Sequence, residues 1–308
     1  MSDAVSALES ACAELTGLTV QRDEPLARHT TFGIGGPADA LVVATTEDEV
    51  ARALVATERH GVPLFVLGGG SNLLVGDGGI RGITLSLSGA LAELTVLEGG
   101  RRIEVGAACS FPRLTQAALS HGWPPAVGWF GTPGQVGGAL VMNAGTRHGE
   151  IGEVVVEVRL ADAGGSHRLP RSACGFGYRT SAFPPRSVLT SALLQCDSHK
   201  STEVEALTAM AHEQLNRRRA TQPKQRSAGS IFKNPPGDFA GRLIEAAGLK
   251  GYAVGAAAIS DVHANFIVNA GAAAARDVVA VAEHARAVVQ QRFGVSLEWE
   301  VRRVGEHR

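Results

Sequence analysis

The sequence lacks several features that would point to particular classes of protein. Its four cysteines stand at long, irregular intervals without a CxxC pair, which indicates reduced thiols and not a zinc site or a redox dithiol. No apolar run is long enough to span a bilayer. No basic start followed by an apolar stretch marks a signal peptide. We therefore expect a cytoplasmic protein without a metal centre.

An excess of charge of either sign is also missing. The 29 lysines and arginines almost balance the 30 aspartates and glutamates, and the formal net charge is -1. Such a chain offers no general electrostatic attraction to nucleic acid or to an anionic membrane. We expect a small-molecule partner, no nucleic acid and no membrane. Because no interface pattern stands out, we also expect a monomer.

Glycine, by contrast, is abundant. The chain has 38 glycines among 308 residues, and they cluster at 33–36, 68–70 and 131–145. Glycine loses more backbone entropy on folding than any other residue, so such clusters predict tight turns or close approach of the backbone to a ligand. The clustering therefore favours a cofactor held by backbone groups, in a chain long enough for two or three domains.

The hydrophobic pattern predicts mixed helices and strands. The predicted helices are Ala4–Leu15, Glu47–His60, Phe111–His121, Glu203–Arg219, Ala240–Ala247 and Ala274–Phe293. The predicted strands are Ala38–Ala44, Leu64–Leu67, Ile83–Leu87, Leu94–Leu97, Arg102–Val105, Val154–Leu160, Ser166–Leu169, Val188–Cys196, Ala264–Asn269 and Ser296–Val304. Changes of pattern near residue 85 and at Asp197–Ser201 predict domain boundaries.

The first glycine motif follows the predicted strand Leu64–Leu67. Gly68, Gly69 and Gly70 let backbone N–H groups converge, because no Cβ blocks positive φ or close approach. The next two residues, Ser71-Asn72, add side-chain donors, so the segment suits a pyrophosphate. It matches neither GxGxxG nor GxxxxGK[ST]. On these residues alone, an ordinary glycine-rich turn is an equally good interpretation.

The second glycine motif is Gly131–Gly145. A turn at Pro133-Gly134 precedes the step Gly137-Gly138, where a flat ligand can lie against bare backbone. Asn143 can present an amide to the edge of a heterocycle. Structural turns alone rarely need so many glycines in so short a segment, so this motif favours a bound ligand.

Three further motifs, each taken alone, favour a structural role. They are Tyr178–Phe183 with Arg179, Ser227–Pro235 with Ser230, Lys233 and Asn234, and Leu297–Arg302 with Glu298 and Glu300. A fixed guanidinium at Arg179 can clamp a carboxylate through paired hydrogen bonds. No GxSxG elbow marks Ser230 as a hydrolase nucleophile. Strand alternation places the two glutamates on one face, which can equally be a solvent face.

Taken in order, these segments resemble the UDP-N-acetylenolpyruvoylglucosamine reductase family. The resemblance covers nearly the whole chain from about residue 26, and many motifs in order agree by chance far less often than one. The chain has no obvious tyrosine-bearing insertion in its middle, which resembles the shorter subtype of the family. The matching segments are His29–Ala38, Leu67–Val75, Gly131–Gly145, Tyr178–Phe183, Gly229–Pro235, Ala240–Gly251, His263–Asn269 and Leu297–Arg302.

The resemblance implies an α+β fold with an FAD-binding domain of the p-cresol methylhydroxylase type and a smaller C-terminal α+β substrate domain. The FAD-binding domain would consist of two α/β subdomains, residues 1–86 and 87–198, and the substrate domain of residues 199–308. It also implies non-covalent FAD and NADPH as co-substrate. The implied reaction reduces UDP-N-acetylglucosamine enolpyruvate to UDP-N-acetylmuramate, a step of peptidoglycan synthesis on which cell wall biogenesis, cell shape and cell division depend.

The resemblance also implies roles for individual residues. Arg179 and Glu300 would stabilise an enol-like intermediate, and Ser230 would protonate its carbon. A serine hydroxyl is a poor acid near neutrality, so it can donate only to a strongly basic carbon held in place. No metal ligand is implied. The implied cofactor-binding residues are Thr31, Gly68, Gly69, Gly70, Ser71, Asn72, Gly134, Gly137, Gly138 and Asn143, and the implied substrate-binding residues are Tyr178, Lys233 and Asn234.

Two other functions remain open at this point. One is a flavoprotein with the same cofactor domain, such as an alcohol or lactone oxidase, although the short C-terminal module and the run Gly229–Pro235 argue against it. The other is a non-catalytic nucleotide-binding protein, which would be colourless where the reductase is yellow.

The chain departs from the family pattern at two places. His29 stands where the family commonly has asparagine, and Gly255–Ala258 stands where it usually has Gly-Gly-Ala. The second departure leaves the substrate contacts there open.

Overall fold

The computed structural model describes residues 2–197 and 203–307. Its helices are α1 Ser2–Glu14, α2 Glu47–His60, α3 Phe111–Ser120, α4 Ala126–Trp129, α5 Val136–Val141, α6 Val204–Thr221, α7 Ala240–Ala246 and α8 Ala275–Phe293. Its strands are β1 Thr19–Pro25, β2 Pro37–Ala44, β3 Leu64–Leu67, β4 Leu73–Val75, β5 Ile80–Leu87, β6 Leu94–Leu97, β7 Arg102–Gly106, β8 Gly145–Thr146, β9 Gly149–Glu150, β10 Val155–Asp162, β11 Gly165–Pro170, β12 Val188–Gln195, β13 Ala253–Val254, β14 Ala257–Ile259, β15 Ile267–Asn269 and β16 Arg302–Val304.

The chain divides into two compact units, each built from three segments. The first unit comprises Met1–Gln21, Ala40–Gly69 and Gly82–Arg217, and the second comprises Arg22–Asp39, Gly70–Arg81 and Arg218–Arg308. The mixture of helices and strands agrees with the predicted α+β class. The three predicted domain ranges stay a prediction, and their boundary between residues 198 and 199 lies outside the described residues.

An antiparallel sheet of five strands, in the order β11-β10-β12-β7-β6, organises most of the first unit. Strand β12 buries alternate side chains, as expected of a sheet with one face on the core. The core beside it contains Phe111, Trp123 and Trp129, all fully buried. The indole N–H of Trp123 donates to the Gly100 carbonyl, 2.7 Å away, so this large side chain is buried with its polar atom satisfied.

Strand β2, helix α2 and strand β3 form a strand–helix–strand pattern that leads into the first glycine motif. The side chain of Thr46 accepts a hydrogen bond from Glu49 N at the start of α2, and Gly61 ends the helix in the left-handed conformation. Strand β3 then pairs in parallel with β5, within a four-stranded sheet of order β1-β2-β5-β3. The chain therefore reaches the glycine motif at the end of a paired strand.

The second unit has shorter strands and depends more on its helices. It contains the antiparallel sheet β13-β14-β15 and the parallel pair β16-β4. Its apolar core includes Phe32, Leu74 and Phe232, together with one face of α8. The carboxylate of Asp77 accepts hydrogen bonds from Ala275 N at 2.7 Å and Arg276 N at 3.0 Å, so a distant residue satisfies the first turn of α8.

Three predicted strands are wrong in extent, and the one predicted at Ile83–Leu87 begins three residues earlier, at Ile80. The segment predicted as Ser296–Val304 is a strand only over Arg302–Val304, and upstream of it a single bridge joins Trp299 to Phe232. The strand predicted at Ala264–Asn269 is Ile267–Asn269. The strands β1, β4, β8, β9, β13 and β14 and the helices α4 and α5 were not predicted. Strand alternation therefore does not place Glu298 and Glu300 on one face, because that stretch is not a strand.

Within residues 2–197 and 203–307, no helix combines the length and apolarity needed to cross a membrane. Over the same residues, no three histidines, cysteines or carboxylates gather closely enough to hold a metal ion. Three cysteines are buried, and Cys12 is half-buried. Burial raises the pKa of the Cys109 and Cys174 thiols, which keeps them protonated and unreactive near neutral pH.

Candidate active site

The two glycine motifs meet within the first unit. A Cβ added to Gly69 would come within 2.7 Å of Gly134 Cα, so two bare stretches of backbone pack directly on each other. Among the described atoms, a Cβ on Gly68 would have one neighbour within 4 Å, the side-chain oxygen of Gln135 at 3.6 Å. The carbonyl of Gly134 accepts a hydrogen bond from Phe111 N at 2.9 Å, which holds this turn against the first turn of α3. The two predicted cofactor motifs are thus neighbours.

The glycines inside α5 provide a test of whether these residues fit a flat cofactor. A glycine inside a helix costs about 0.5–1 kcal/mol relative to alanine, so it needs a reason. At Gly137 the reason is packing, because a Cβ would lie 3.2 Å from the Ala107 side chain. At Gly138 no described atom lies within 4 Å of the Cβ position. Open glycine backbone of this kind fits close approach by an isoalloxazine ring, so the residues present fit FAD.

The chain passes into the second unit between Gly69 and Gly70. Gly70 has a φ of 61°, and a Cβ there would overlap the His29 carbonyl oxygen. The Gly70 carbonyl accepts a hydrogen bond from Thr31 N at 3.1 Å, and the Thr31 hydroxyl donates to the Ser227 carbonyl at 2.8 Å. Only glycine fits this crossing, which joins the glycine motif to the segment that precedes Ser230.

The side chain of Asn72 makes a structural contact. Its amide donates to the Glu300 carbonyl at 3.1 Å, and the backbone carbonyl of Asn72 accepts a hydrogen bond from Arg302 N at 3.1 Å. These bonds extend the pairing of β4 with β16 and bring Asn72 beside Glu300. The predicted role of Ser71 and Asn72 in binding a pyrophosphate stays a prediction.

Tyr178 and Arg179 are the two central residues of a tight turn in the first unit. Gly177 and Thr180 exchange backbone hydrogen bonds of 3.1 and 3.2 Å across it. Arg179 has a φ of 55°, in the left-handed region that non-glycine residues seldom adopt. Its Nη2 donates to the Gly145 carbonyl at 3.0 Å, and its guanidinium lies 5.3 Å from the centre of the exposed Tyr178 ring. The turn presents a tyrosine and an oriented cation together.

Asn143 lies beside this turn and is buried, with a φ of 43°. Its amide nitrogen donates to Glu150 Oε2 at 2.7 Å and to the Gly177 carbonyl at 3.1 Å. Its side-chain oxygen accepts a hydrogen bond from Gly152 N at 2.9 Å. The amide thus bonds to protein on both sides, and contact of Asn143 with the cofactor stays a prediction.

In the second unit, the segment carrying Ser230 is held by a buried asparagine. Asn265 accepts a hydrogen bond from Phe232 N at 3.0 Å and donates to the Phe232 carbonyl at 2.8 Å. The backbone carbonyl of Asn265 accepts a bond from Ile231 N at 2.8 Å. A side-chain amide here replaces the neighbouring strand that would otherwise satisfy these groups. Ser230 itself is half-buried and pairs through a single bridge with Phe266.

The same segment borders Glu300 and Lys233. Glu300 N donates to the Ile231 carbonyl at 2.8 Å, so Glu300 and Ser230 are attached to the same short stretch of backbone. Lys233 forms an ion pair of 3.6 Å with the exposed carboxylate of Glu298. Asn234 is exposed, and its side-chain oxygen accepts a hydrogen bond from Ala240 N at 3.1 Å, at the start of α7.

His263 supports Asn265 from behind. Burial lowers the pKa of His263, which keeps the imidazole neutral near pH 7. A neutral ring can accept at Nδ1, and that atom accepts the Asn265 N–H at 3.2 Å. Neither Glu150 nor Asn265 was predicted as a site residue. Asn265 is visible in the sequence only as part of His263–Asn269, because its partners are the backbone groups of Phe232. Nothing local marks Glu150, whose partner is the side chain of Asn143.

Two family models match the chain. The model described as the UDP-N-acetylenolpyruvoylglucosamine reductase C-terminal domain matches residues 222–304. The model described as an FAD binding domain matches residues 38–169. Together the two matches cover more than half of the chain, and the first covers the whole segment from Ser230 to Glu300.

Curated relatives and a solved structure are similar over nearly the full length. UDP-N-acetylenolpyruvoylglucosamine reductase 2 of Symbiobacterium thermophilum is 44% identical over 285 residues, 92% of this chain and 91% of the relative. The UDP-N-acetylenolpyruvoylglucosamine reductase of Myxococcus xanthus is 41% identical over 306 residues, 98% of this chain and 97% of the relative. The crystal structure of the Thermus caldophilus enzyme matches with a TM-score of 0.81 at 39% identity, over 93% of this chain and 99% of that one.

Proposed function

The chain belongs to the UDP-N-acetylenolpyruvoylglucosamine reductase family, and from this membership we infer that it reduces UDP-N-acetylglucosamine enolpyruvate to UDP-N-acetylmuramate with NADPH as hydride donor. It is an FAD-dependent oxidoreductase of peptidoglycan precursor synthesis. The observation that carries this conclusion is similarity along almost the entire length of both chains, at 41% identity over 98% of this chain with the Myxococcus xanthus enzyme.

The glycine motifs would hold the cofactor without a covalent link. FAD, when bound, supplies a hydride carrier between NADPH and the enolpyruvyl group. Gly68 and Gly138 support this assignment because packing among the described residues does not explain either glycine. We assign the pyrophosphate to the backbone and side chains of Gly68–Asn72, with Thr31 beside them. Gly134, Gly137 and Gly138 would line the ring, where bare backbone allows close contact.

Three side chains would act on the substrate. The guanidinium of Arg179 would pair with the substrate carboxylate, where negative charge grows as hydride adds to the terminal carbon of the enolpyruvyl group. The carboxyl of Glu300 would hydrogen-bond the same developing charge. The hydroxyl of Ser230 would then give its proton to the carbon next to the carboxylate. The bonds of Ile231 and Phe232 to Glu300 N and Asn265 support a fixed position for Ser230.

The remaining polar residues would bind the sugar nucleotide. Tyr178 offers an exposed phenol beside Arg179, and Lys233 and Asn234 offer a cation and an amide at the surface of the second unit. A cation and paired donors suit a diphosphate. We further propose that the protein is a cytoplasmic monomer that does not bind nucleic acid, and that its product supports cell shape and division through the cell wall.

The test follows flavin absorbance under anaerobic conditions, with NADPH added first and UDP-N-acetylglucosamine enolpyruvate second. We expect bleaching by NADPH and recovery on adding the sugar nucleotide. Bleaching without recovery would reject the substrate. A protein that shows no flavin spectrum even after addition of FAD would reject the enzyme and favour a nucleotide-binding protein.

Two serine variants test whether Ser230 is the proton donor. Ser230→Ala should leave flavin reduction by NADPH fast and slow the recovery by about 100-fold or more, because proton transfer by a positioned group contributes about 10²–10⁴-fold. Ser227→Ala removes a hydroxyl from the same segment and should leave both steps unchanged. Equal recovery rates in the two variants would reject Ser230 as the donor.

A further inference from the structure

We propose that Glu150 is a positioning residue for the reduction step, which acts through Asn143 on the turn that carries Arg179. The inference rests on the proposed function, because it assumes that Arg179 contacts the substrate. It adds a residue that neither the glycine motifs nor the arginine motif contains. All of its contacts lie within the first unit.

The turn at Gly177–Thr180 needs outside support. Two backbone hydrogen bonds close it, and Arg179 holds a φ of 55° inside it. For a residue with a Cβ, the left-handed conformation is less favourable than ordinary backbone, because the Cβ comes too close to the following carbonyl oxygen. A turn that carries this strain relaxes unless surrounding contacts determine its conformation. One such contact is the bond from Asn143 to the Gly177 carbonyl.

Asn143 is itself fixed by Glu150. One amide nitrogen serves both the Gly177 carbonyl and Glu150 Oε2, and the shorter bond, 2.7 Å, is the one to the carboxylate. A carboxylate is acceptor-only, so it forces the amide to turn its nitrogen towards the turn and its oxygen towards Gly152 N. The Gly177 carbonyl and Gly152 N favour the same orientation of the amide, and the charged carboxylate of Glu150 strengthens it with the shortest of the three bonds.

The contacts then return to the guanidinium. Arg179 Nη2 donates to the carbonyl of Gly145, and Gly145 pairs with Glu150 across the two-stranded sheet β8-β9. The backbone that accepts from Arg179 and the carboxylate that orients Asn143 thus belong to one small hairpin. The hairpin therefore contacts both the turn, through Asn143, and the tip of the Arg179 side chain, through Gly145, so a change at Glu150 can reach Arg179.

Glu150→Gln tests the proposal because it keeps the shape of the side chain and removes its charge. The flavin-loaded variant should be reduced by NADPH within about threefold of the wild-type rate. Its reoxidation by UDP-N-acetylglucosamine enolpyruvate should slow about 10- to 100-fold, the range expected when a catalytic group is misplaced by a fraction of an ångström to one ångström. Glu153→Gln, in the same hairpin region, retains an acceptor for Glu150 N and should leave both rates unchanged.

A double-mutant cycle separates positioning from general damage. If Glu150 acts through Arg179, then Glu150→Gln should slow reoxidation less than about twofold in an Arg179→Lys background, because the interaction it supports is already lost. Equal factors in both backgrounds, an unchanged single variant, or loss of FAD binding by Glu150→Gln would each overturn the proposal. Reoxidation of the wild-type protein tests the proposed function separately. If UDP-N-acetylglucosamine enolpyruvate did not reoxidise the reduced wild-type flavin, the substrate would be rejected whatever the variants show.

Discussion

The two units hold their functional loops in different ways. In the first unit, Arg179 sits on a short turn beside regular hairpins, and one amide orients that turn. In the second unit, Ser230 lies on irregular backbone, and the side chain of Asn265 replaces a missing strand partner on both the N–H and the carbonyl of Phe232. Where strands pair regularly, a side chain only has to orient the neighbouring turn. Where strand pairing is absent, a side chain must itself bond to the buried backbone N–H and carbonyl groups.

This difference predicts the largest effect at Asn265. Asn265→Ala leaves the buried N–H and carbonyl of Phe232 without partners, so we expect a loss of about 2–4 kcal/mol in the free energy of unfolding. Urea denaturation measures it. Asn234→Ala removes an exposed amide with one backbone bond and should cost about 1 kcal/mol or less. Equal losses of unfolding free energy at the two sites would show that the Asn265 side chain does not replace a strand partner.

The backbone conformations of Asn143 and Asn265 predict that their glycine and alanine variants rank in opposite orders of stability. At Asn143, where φ is 43°, glycine should be more stable than alanine by about 1–2 kcal/mol, because alanine pays the left-handed penalty. Asn265 lies outside the left-handed region, so alanine should there equal or exceed glycine by up to about 1 kcal/mol. Thermal unfolding of the four variants checks the order, and the same order at both positions would contradict the comparison.

A smaller effect is expected at the start of α8. Asp77→Ala removes the acceptor for Ala275 N and Arg276 N, and loss of a helix cap costs about 1 kcal/mol. Asp77→Asn keeps an acceptor oxygen and should lose less. Denaturation followed by circular dichroism distinguishes them. If both variants matched the wild type, the second unit would not depend on caps supplied from distant segments.

The smallest effect is a pH dependence at the surface of the second unit. The hydrogen bond from Arg242, with one from Phe239 N, lowers the pKa of Asp238 from 3.8 to about 2. Because the folded pKa is depressed, the pair contributes stability above about pH 3.8, and this contribution is lost as the pH falls towards 2. An NMR titration of Asp238 in Arg242→Gln should show the pKa rising towards its ordinary value. A pKa that stays near 2 would assign the shift to the backbone.

The sequence predicts elements well where the signals that start and stop them are local. Helix α2 has both of its predicted ends, since Thr46 caps it and Gly61 ends it in the left-handed conformation. Strand β3 also has its predicted bounds, because a short apolar run leads directly into the glycines. The α+β class follows from the same patterns.

Prediction fails where pairing depends on a distant segment. Leu297, Trp299 and Val301 alternate with polar residues as in a strand, yet the partner segment is so short that a single bridge forms. Strands β13 and β14 consist mostly of alanine, which has a low strand preference, so their pattern does not predict them. Glu150 and Asn265 were missed for the same reason, because their partners are defined only once the chain has folded.

The cysteines are distributed unevenly between the two units, and this makes them a probe of one unit alone. All four thiols belong to the first unit, three of them buried, and the second unit contains none. A buried thiol reacts with an alkylating reagent only when its surroundings open, and its rate of modification reports that opening. The chain therefore carries a reporter confined to one unit. Pulsed alkylation read by mass spectrometry would time the opening of the first unit while the second unit stays silent.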